Sequence, residues 1–284
     1  MRKTWILFAA IIVLAAGLSL SWSTEPIPQV PPPLPVWKQV STPYFHELDD
    51  NVSVLTVTLQ DTAVDLNRFA ELDIVKFKPE KFKIEAHLNR AKTNALSVSK
   101  VAKLKKALLA VNGGFFSSNF TPEGFLISNG NLLNSKDGKG TGVFYVTKDG
   151  KADIEWSKDF VPDNRIDFAV QAGPIVIEKP SKNGIVHIRK IQYPRTAVGI
   201  TKDGEVFFVH VHHDNGDNSL IKGISLYEFA MILLDKDLLA GLEAYCVLNL
   251  DGGSSTGLYL EHSKMKLHYP ELVKVSNVIL VKKR

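Results

Sequence analysis

The chain has 284 residues, of which 45% are hydrophobic and 23% charged, a composition typical of a globular protein with a sizeable core. Its formal net charge is +4. Arg2 and Lys3 supply two of those positive charges within an N-terminal segment that lacks acids, so the remainder carries only +2 and gives no support to nucleic-acid binding. The single cysteine, Cys246, excludes an internal disulfide and a multi-cysteine metal site, and its apolar surroundings in EAYCVLNL predict a buried structural thiol.

The N-terminal 36 residues predict an export segment and a spacer. Residues 1–24 begin with the basic MRK and continue in an uncharged apolar run, which is typical of a signal peptide and is also long enough for an N-terminal membrane anchor. Both alternatives place the rest in the periplasm or outside the cell, with membrane contact only through this segment. Residues 25–36 contain six prolines and predict an extended linker, after which residues 37–284 form the folded domain.

The first half of this domain predicts strands followed by a short helix. The stretch VSVLTVTLQ, residues 52–60, alternates β-branched and polar residues as a strand does. The stretch LDIVKFKPEKFKIEAHL predicts strands around Pro79. Apolar positions at helical spacing predict a helix near residues 97–106, with Ser97 as its N-cap, which runs into a strand near residues 108–112.

Turn signals and a capping motif organise the second half. Asn-Gly at 129–130 and Asp-Gly at 149–150 and 203–204 stand between apolar runs and predict three β-hairpins. Ser225 and Glu228 form a capping box at the start of a helix that leads into the strand AYCVLNL, a pair of α/β character. The final strand is LVKVSNVILVKK. The predicted fold class is therefore α+β: a single domain with a mixed, largely antiparallel sheet and two or three helices.

Four apolar strands end in glycine and a polar residue: AVNGGFF, AVQAGPIVI, PRTAVGI and NLDGGSST. A single Gly-Gly after a strand is most often only a turn, but glycine also permits a ligand to approach the backbone. Polar side chains rarely belong in a strand core unless a partner satisfies them. We therefore expect the polar residues of these strand ends to converge in one cleft; they are Asn112, Gln171, Arg195, Asn249 and Asp251.

The motifs VNGGFF, QAGPIVI, RTAVGI, GISLYEFA and NLDGGSST, in this order, resemble the phosphodiester glycosidase family over roughly residues 95–283. The resemblance implies an α+β domain that hydrolyses a sugar-1-phosphodiester, such as one of N-acetylglucosamine, in envelope or exopolysaccharide glycans. The substrate partner would then be a glycan or sugar phosphate. The chain departs from the family pattern at HHDNGDNSLIK, after the strand EVFFVHV. The positions that fall on family motifs are Asn112, Gly113, Gly114, Gln171, Arg195, Asp251, Gly252, Gly253 and Ser254.

The residue types at these positions suit such a reaction. Glycoside hydrolysis usually needs two carboxyl groups, but a phosphate leaving group is a stable anion that needs little protonation. Asp251 would act as the nucleophile or as the base for water, and these alternatives stay open. Arg195 suits a bidentate grip on phosphate, and the amides of the glycine pairs would add donors. Candidates for a second carboxylate are Glu123, Asp214 and Asp217.

The predicted site has two groups of residues. The predicted catalytic residues are Asp251, Arg195 and Asn112. The predicted substrate-binding residues are Gly113, Gly114, Gln171, Gly173, Asn249, Gly252, Gly253, Ser254 and Ser255.

A histidine cluster provides an alternative chemistry. His210 and His212 point to one face of a strand, and Asp214 follows closely. Imidazole and carboxylate groups of this kind bind zinc or other transition metals, although a polar strand end with a solvated loop explains the same pattern. The prediction is no cofactor, with a divalent metal at His210, His212 and Asp214 as the alternative.

Two other classes of function also remain open. The chain would be a non-catalytic polysaccharide- or cell-wall-binding module if the fold were kept and turnover lost. A scaffold in envelope assembly is the third hypothesis, for which the proline-rich linker is the only indication. A serine nucleophile in GGSST is disfavoured because no G-x-S-x-G elbow is present.

Overall fold

Antiparallel strands make up most of the protein in the computed structural model, which describes residues 34–135, 138, 140–189, 191–212 and 223–284. Within these residues Leu34–Arg284 forms one compact unit. The predicted export segment and most of the proline-rich linker lie outside the described residues. No helix in the described part of the chain has the length and apolarity needed to cross a membrane.

The strands and helices follow one another along the chain with short connections. The strands are β1 (Trp37–Gln39), β2 (His46–Asp49), β3 (Val52–Asp61), β4 (Phe69–Phe77), β5 (Phe82–Leu88), β6 (Leu109–Asn112), β7 (Leu126–Ser128), β8 (Asn131–Asn134), β9 (Gly142–Thr147), β10 (Ala152–Trp156), β11 (Ile166–Ala172), β12 (Ile175–Glu178), β13 (Lys182–Asn183), β14 (Arg195–Thr201), β15 (Val206–His212), β16 (Ala244–Asn249), β17 (Leu258–His262), β18 (Met265–Tyr269) and β19 (Asn277–Lys283). The α-helices are α1 (Val98–Lys105) and α2 (Leu226–Leu234), and 3-10 turns lie at Pro79–Lys81, Lys92–Asn94 and Gly253–Ser255.

The strands form three sheets. The large sheet has the order β1-β3-β4-β15-β14-β16-β12-β13, with β2 paired to β3. The second sheet has the order β10-β9-β11-β7-β8, and the third has the order β18-β17-β6-β19-β5. Every strand pairing among the described residues is antiparallel. The single domain, the largely antiparallel pairing and the two helices are as predicted, but the fold is largely β, so the α+β class describes it only roughly. The predicted helix–strand pair of α/β character is wrong, because β16 runs antiparallel to both of its neighbours.

One hydrophobic core holds the three sheets together. The inner face of each sheet contributes side chains to it, and within it the rings of Phe77, Phe144, Phe168 and Phe208 pack against one another. The opposite face of the large sheet packs against α2, and α1 covers the third sheet. Successive residues of a strand point to opposite sides of the sheet. The strands β14, β15 and β16 are therefore buried on both faces, by the central core on one side and by α2 on the other.

Local sequence signals are confirmed at several places. Ser97 caps α1, where its side chain accepts a hydrogen bond from the Lys100 amide, and the capping box of Ser225 and Glu228 begins α2. The three turn dipeptides join β7 to β8, β9 to β10, and β14 to β15. Cys246 is buried, as the apolar run around it predicts.

Candidate active site

The end of β16 lies where the large sheet meets the third sheet. The amide of Leu250 donates to the carbonyl of Thr196 in β14 (2.8 Å), and the amide of Asp251 donates to the carbonyl of Gly113 (3.1 Å), just after β6. Two sheets therefore fix the backbone that carries Asp251. This is the meeting of strand ends that the sequence pattern predicts.

Asn112 is the polar centre of this junction. Its Nδ2 donates to the Asp251 carbonyl (2.7 Å), while its Oδ1 accepts from the Thr196 hydroxyl (2.7 Å) and from the Gly257 amide (3.1 Å). The side chain has no exposed surface. Asn112 thus joins three segments and uses its donor and acceptor groups on protein partners, which makes it a positioning residue for the Asp251 loop.

The Asp251 carboxylate is half-buried in this junction. Its Oδ1 accepts from the Gly252 amide (2.9 Å), and the Ser255 hydroxyl also bonds to it. Burial raises the pKa of Asp251 above its usual value, and the bonds from Ser255 and Gly252 only partly oppose that rise. Among the described residues no Lys, Arg or His forms an ion pair with this carboxylate, and the donors that they provide to it, Ser255 and Gly252, are neutral.

Close contacts require glycine at both positions of the first pair, Gly113 and Gly114. A Cβ on Gly113 would lie 1.9 Å from Asn277 Oδ1, and one on Gly114 would lie 2.6 Å from the Gln171 carbonyl oxygen. The amides of this pair donate to Asn277 (3.0 and 2.9 Å). The amide of Gly252 donates to Asp251.

The amide of Gly253 also has a protein acceptor, because it donates to the Pro194 carbonyl (2.9 Å). The prediction that the amides of Gly113, Gly114, Gly252 and Gly253 are open donors for a ligand is therefore wrong, since all four are committed to protein acceptors. Their place in a substrate site stays a prediction.

The side chains of Gln171 and Asn249 form hydrogen bonds to the backbone of neighbouring loops. Gln171 Oε1 accepts from the Phe125 amide (3.0 Å), and its Nε2 donates to the Gly140 carbonyl (2.9 Å), so the side chain holds two loops beside β11. Asn249 Nδ2 donates to the Gly173 carbonyl (3.0 Å). Its buried Oδ1 has no hydrogen-bond partner among the described residues. Direct substrate contact by Gln171, Gly173 and Asn249 stays a prediction.

The two serines of the 3-10 turn differ in exposure. Ser254 is exposed, and its carbonyl accepts from the amides of Leu272 and Val273 (2.9 and 3.1 Å). Ser255 is buried and bonds to Asp251. Of the two predicted binding hydroxyls, only that of Ser254 is open to a ligand in solution.

Arg195 lies beside the same junction but on the other face of the large sheet. It is the first residue of β14, and its side chain is opposite to that of Thr196. Its Nε donates to the Ile224 carbonyl (3.0 Å), and it lines a cavity of about 430 Å³ with Pro174, Tyr193 and Tyr227. Burial lowers the pKa of Arg195 to about 10, which still leaves it charged at neutral pH.

The backbones of Arg195 and Asp251 lie close together. The Gly253 amide bonds to the carbonyl of Pro194, the residue before Arg195, and Asp251 follows the residue that pairs with Thr196. No ion pair joins Arg195 to Asp251 among the described residues. The predicted catalytic residues therefore meet at one strand end, with the guanidinium in the cavity and Asn112 in the sheet junction.

The phosphodiester glycosidase family matches residues 105–282 of the chain, which is more than half of its length. The chain belongs to the phosphodiester glycosidase family.

Three known proteins are similar to this family member. The uncharacterized protein YigE of Escherichia coli K12 is 35% identical over 111 residues, which cover 36% of this chain and 43% of YigE, so the match spans less than half of that relative. The catalytic domain of zebrafish N-acetylglucosamine-1-phosphodiester α-N-acetylglucosaminidase, autoinhibited by its pro-peptide, superposes with a TM-score of 0.66 at 20% identity, with 88% of each chain covered. A hypothetical protein from Synechocystis superposes with a TM-score of 0.58 at 16% identity, with 86% of this chain and 64% of that one covered. These structural matches support the fold.

The phosphodiester glycosidase motifs supply the strand ends near this junction and the start of α2, but the sequence did not identify several supporting residues. Asn277 Oδ1 accepts from the Gly114 amide and its Nδ2 donates to the Gly114 carbonyl (2.9 and 3.2 Å). Thr196 holds Asn112, and Tyr193 lies under Arg195, with 5.6 Å between the guanidinium carbon and the ring centre. A polar Ser-Asn pair at 276–277 inside an apolar strand was the available signal for Asn277.

The structure places a third ionisable side chain, that of Asp73, beside the two histidines, which the sequence pattern did not indicate. His210 and His212 share a face of β15, with ring centres 5.3 Å apart, as predicted. Asp73 of β4 lies opposite His210. Burial lowers the pKa of His210 to about 3, so that imidazole is neutral. Asp214 and Asp217 lie outside the described residues, and Glu123 is half-buried.

Proposed function

We propose that this protein hydrolyses a sugar-1-phosphodiester outside the cytoplasm, with Asp251 acting on the anomeric carbon or on water and Arg195 holding the phosphate. The observation that carries the proposal is the carboxylate of Asp251, which is half-buried without a cationic partner among the described residues, beside a cavity with a buried arginine. Structural carboxylates in such surroundings are normally paired, so an unpaired one with a raised pKa indicates a chemical role.

The cavity beside Arg195 suits an anionic glycan. Its volume of about 430 Å³ falls in the usual range for small-molecule sites. His187 and Arg189 line it together with Arg195, and Tyr193 and Tyr227 add aromatic surface. Basic groups recognise phosphate, and aromatic faces pack against sugar rings. The cavity therefore provides the two chemical features that a sugar phosphate needs.

The carboxylate of Asp251 suits a reaction with a phosphate leaving group. When the bond between the anomeric carbon and oxygen breaks, the leaving group is a phosphate monoester, which departs as an anion without a proton from a general acid, so one carboxylate is enough for the first step. A raised pKa makes Asp251 a stronger base and nucleophile once it is ionised. The bonds from Gly252 and Ser255 orient its oxygens, and Asn112 fixes the backbone behind it.

The substrate proposal follows the similar zebrafish enzyme, whose name states an N-acetylglucosamine-1-phosphodiester. We propose the same type of bond here, within an envelope or exopolysaccharide glycan. The extracytoplasmic location is supported by the basic start and apolar run of residues 1–24.

The test is release of N-acetylglucosamine from its 1-(methyl phosphate) diester by the purified full chain. Asp251→Asn is expected to lower kcat by about 10³-fold or more, as loss of a catalytic group does. Asp203→Asn, at an exposed turn, is the matched control and should keep the parent rate. Binding of the diester without turnover by all three proteins would favour the non-catalytic module and contradict the proposal.

A further inference from the structure

A compact polar cluster lies on the inner face of the large sheet, beyond the hydrophobic core. His210 in β15 pairs with Asp73 in β4, and His212 pairs with Glu71 in the same register. The ring of Tyr269 from the third sheet covers both imidazoles, with ring centres 4.8 and 4.6 Å away. One ligand atom from each of Asp73, His210 and His212 lies within 4.8 Å of the others.

Three atoms of this cluster are buried without hydrogen-bond partners among the described residues: Asp73 Oδ2, His210 Nδ1 and His212 Nε2. Asp73 has no exposed surface, and His210 is 2% exposed. Buried polar atoms are almost always satisfied, and leaving three together unsatisfied is costly. The hydroxyl of Tyr269 lies close enough to Asp73 to interact with its carboxylate, but it does not account for the two ring nitrogens.

An ordinary acid–base pair explains only part of the cluster. His212 Nε2 lies 3.3 Å from Glu71 Oε2 and 3.6 Å from Asp73 Oδ2, so a proton on His212 would satisfy one nitrogen and one carboxylate. It would leave His210 Nδ1 buried and unpartnered. A single cation at the centre of the cluster would satisfy all three atoms at once.

We infer that Asp73, His210 and His212 form a binding site for one divalent transition-metal ion, of which Zn²⁺ is the representative. Two imidazole nitrogens and one carboxylate oxygen are a common donor set for such ions, with a fourth position left for water or another ligand. Glu71 Oε2 lies 3.3 Å from His212 Nε2, at the edge of the cluster. Mg²⁺ and Ca²⁺ are disfavoured because they prefer oxygen ligands.

The dimensions and surroundings of the cluster fit this inference. Ligands about 2.1 Å from a tetrahedral ion are about 3.4 Å from one another, so small side-chain rotations would close the present separations. The Thr56 hydroxyl donates to Asp73 Oδ1 (2.6 Å) and leaves Oδ2 directed at the imidazoles, which is the orienting contact that metal ligands usually have. The side chain of His212 is 18% exposed and gives an ion access from solution.

The inference is independent of the proposed hydrolysis, although the two sites are neighbours. Thr196, which holds Asn112, lies opposite His210 in the β14–β15 pairing. An ion at the cluster would therefore sit one strand away from the Asp251 junction. Metal binding is measured directly, so a failure to hydrolyse sugar phosphodiesters leaves it unaffected.

The test is titration of the metal-free full chain with Zn²⁺ by calorimetry, and with Co²⁺ by its visible absorption. We expect one equivalent of each ion to bind, and Mg²⁺ to give no signal. Asp73→Asn and His212→Gln should each weaken Zn²⁺ binding by about 100-fold or more, because even changes to groups that only orient ligands cost 10–100-fold. His268→Gln, at an exposed imidazole, is the matched control and should bind as the parent does.

Thermal unfolding of the metal-free variants checks that they are folded. His212 is partly exposed, so His212→Gln keeps the test available even if Asp73→Asn unfolds. The inference is overturned if the parent binds no stoichiometric Zn²⁺, or if His212→Gln binds it as tightly as the parent.

Discussion

Replacing Asn112 by alanine removes the side chain that joins three segments at the candidate active site. It eliminates hydrogen bonds to the Asp251 carbonyl, the Thr196 hydroxyl and the Gly257 amide at a position without exposed surface. Each bond contributes about 1 kcal/mol net, and each buried group left unpartnered costs about 1–3 kcal/mol. The Thr196 hydroxyl can rotate towards another partner, whereas the two backbone groups cannot. We therefore expect a loss of about 3–5 kcal/mol in the free energy of unfolding.

Urea unfolding of the full chain measures this loss as a shift of the transition midpoint at constant slope. Asn94→Ala is the matched control, because Asn94 is exposed in the second 3-10 turn and should change stability by less than about 0.5 kcal/mol. A loss below about 1 kcal/mol for Asn112→Ala would refute the reasoning, since it would mean that the three bonds do not hold the junction.

Three further predictions concern buried ionisable groups. Burial raises the pKa of Asp251, so its ionisation opposes folding as pH rises through that raised value. Asp251→Asn should therefore be at least as stable as the parent at pH 7, and any gain in stability should disappear below the ordinary aspartate pKa of 3.8. Thermal melts at pH 7 and below that pKa check this, and a clear loss of stability at pH 7 contradicts it. Arg68 makes a buried bidentate pair with Glu228 (2.6 and 3.0 Å), so Arg68→Met should cost about 3–5 kcal/mol in urea unfolding and Arg68→Met/Glu228→Gln clearly less. Equal losses of stability in the single and the double variant would show that the uncompensated charge of Glu228 is not the cause. Burial raises the pKa of Cys246 to about 12, so a thiol reagent should label native protein at least about 10³-fold more slowly than unfolded protein; comparable rates would show that the thiol is accessible.

Local features of the fold were predictable because their causes are local. The caps at Ser97 and Ser225 and the three turn dipeptides act over a few residues, and each is confirmed. The sheet organisation was not predictable in the same way. β4 pairs with β15, and β6 lies between β17 and β19, and no short-range pattern specifies which distant strands meet.

The prediction of a helix–strand pair of α/β character is wrong for an identifiable reason. A capped helix followed by an apolar strand is typical of a parallel βαβ unit, but β16 enters the sheet between β14 and β12 and runs antiparallel to both. The apolar run AYCVLNL indicates a strand buried on both faces, and α2 and the central core bury those faces here. Composition alone does not distinguish this case from a parallel strand.

The candidate site was predictable in its residues and less so in its geometry. Motif order identified Asn112 and Asp251, which the structure joins directly. It did not reveal that Arg195 faces the side of the sheet opposite to Thr196, that the glycine amides already donate to protein acceptors, or that Asp73 lies opposite His210 across 137 positions of sequence. Those facts depend on strand register and on long-range partners, which a single sequence does not encode in any local pattern.

The bond that the protein breaks tests the central claim most directly. Hydrolysis of N-acetylglucosamine 1-(methyl phosphate) in oxygen-18 water, followed by mass spectrometry of the products, distinguishes attack at carbon from attack at phosphorus. Attack at the anomeric carbon through Asp251 predicts label in the sugar and none in the released methyl phosphate. Label in the phosphate would identify a phosphodiesterase instead and would contradict the account.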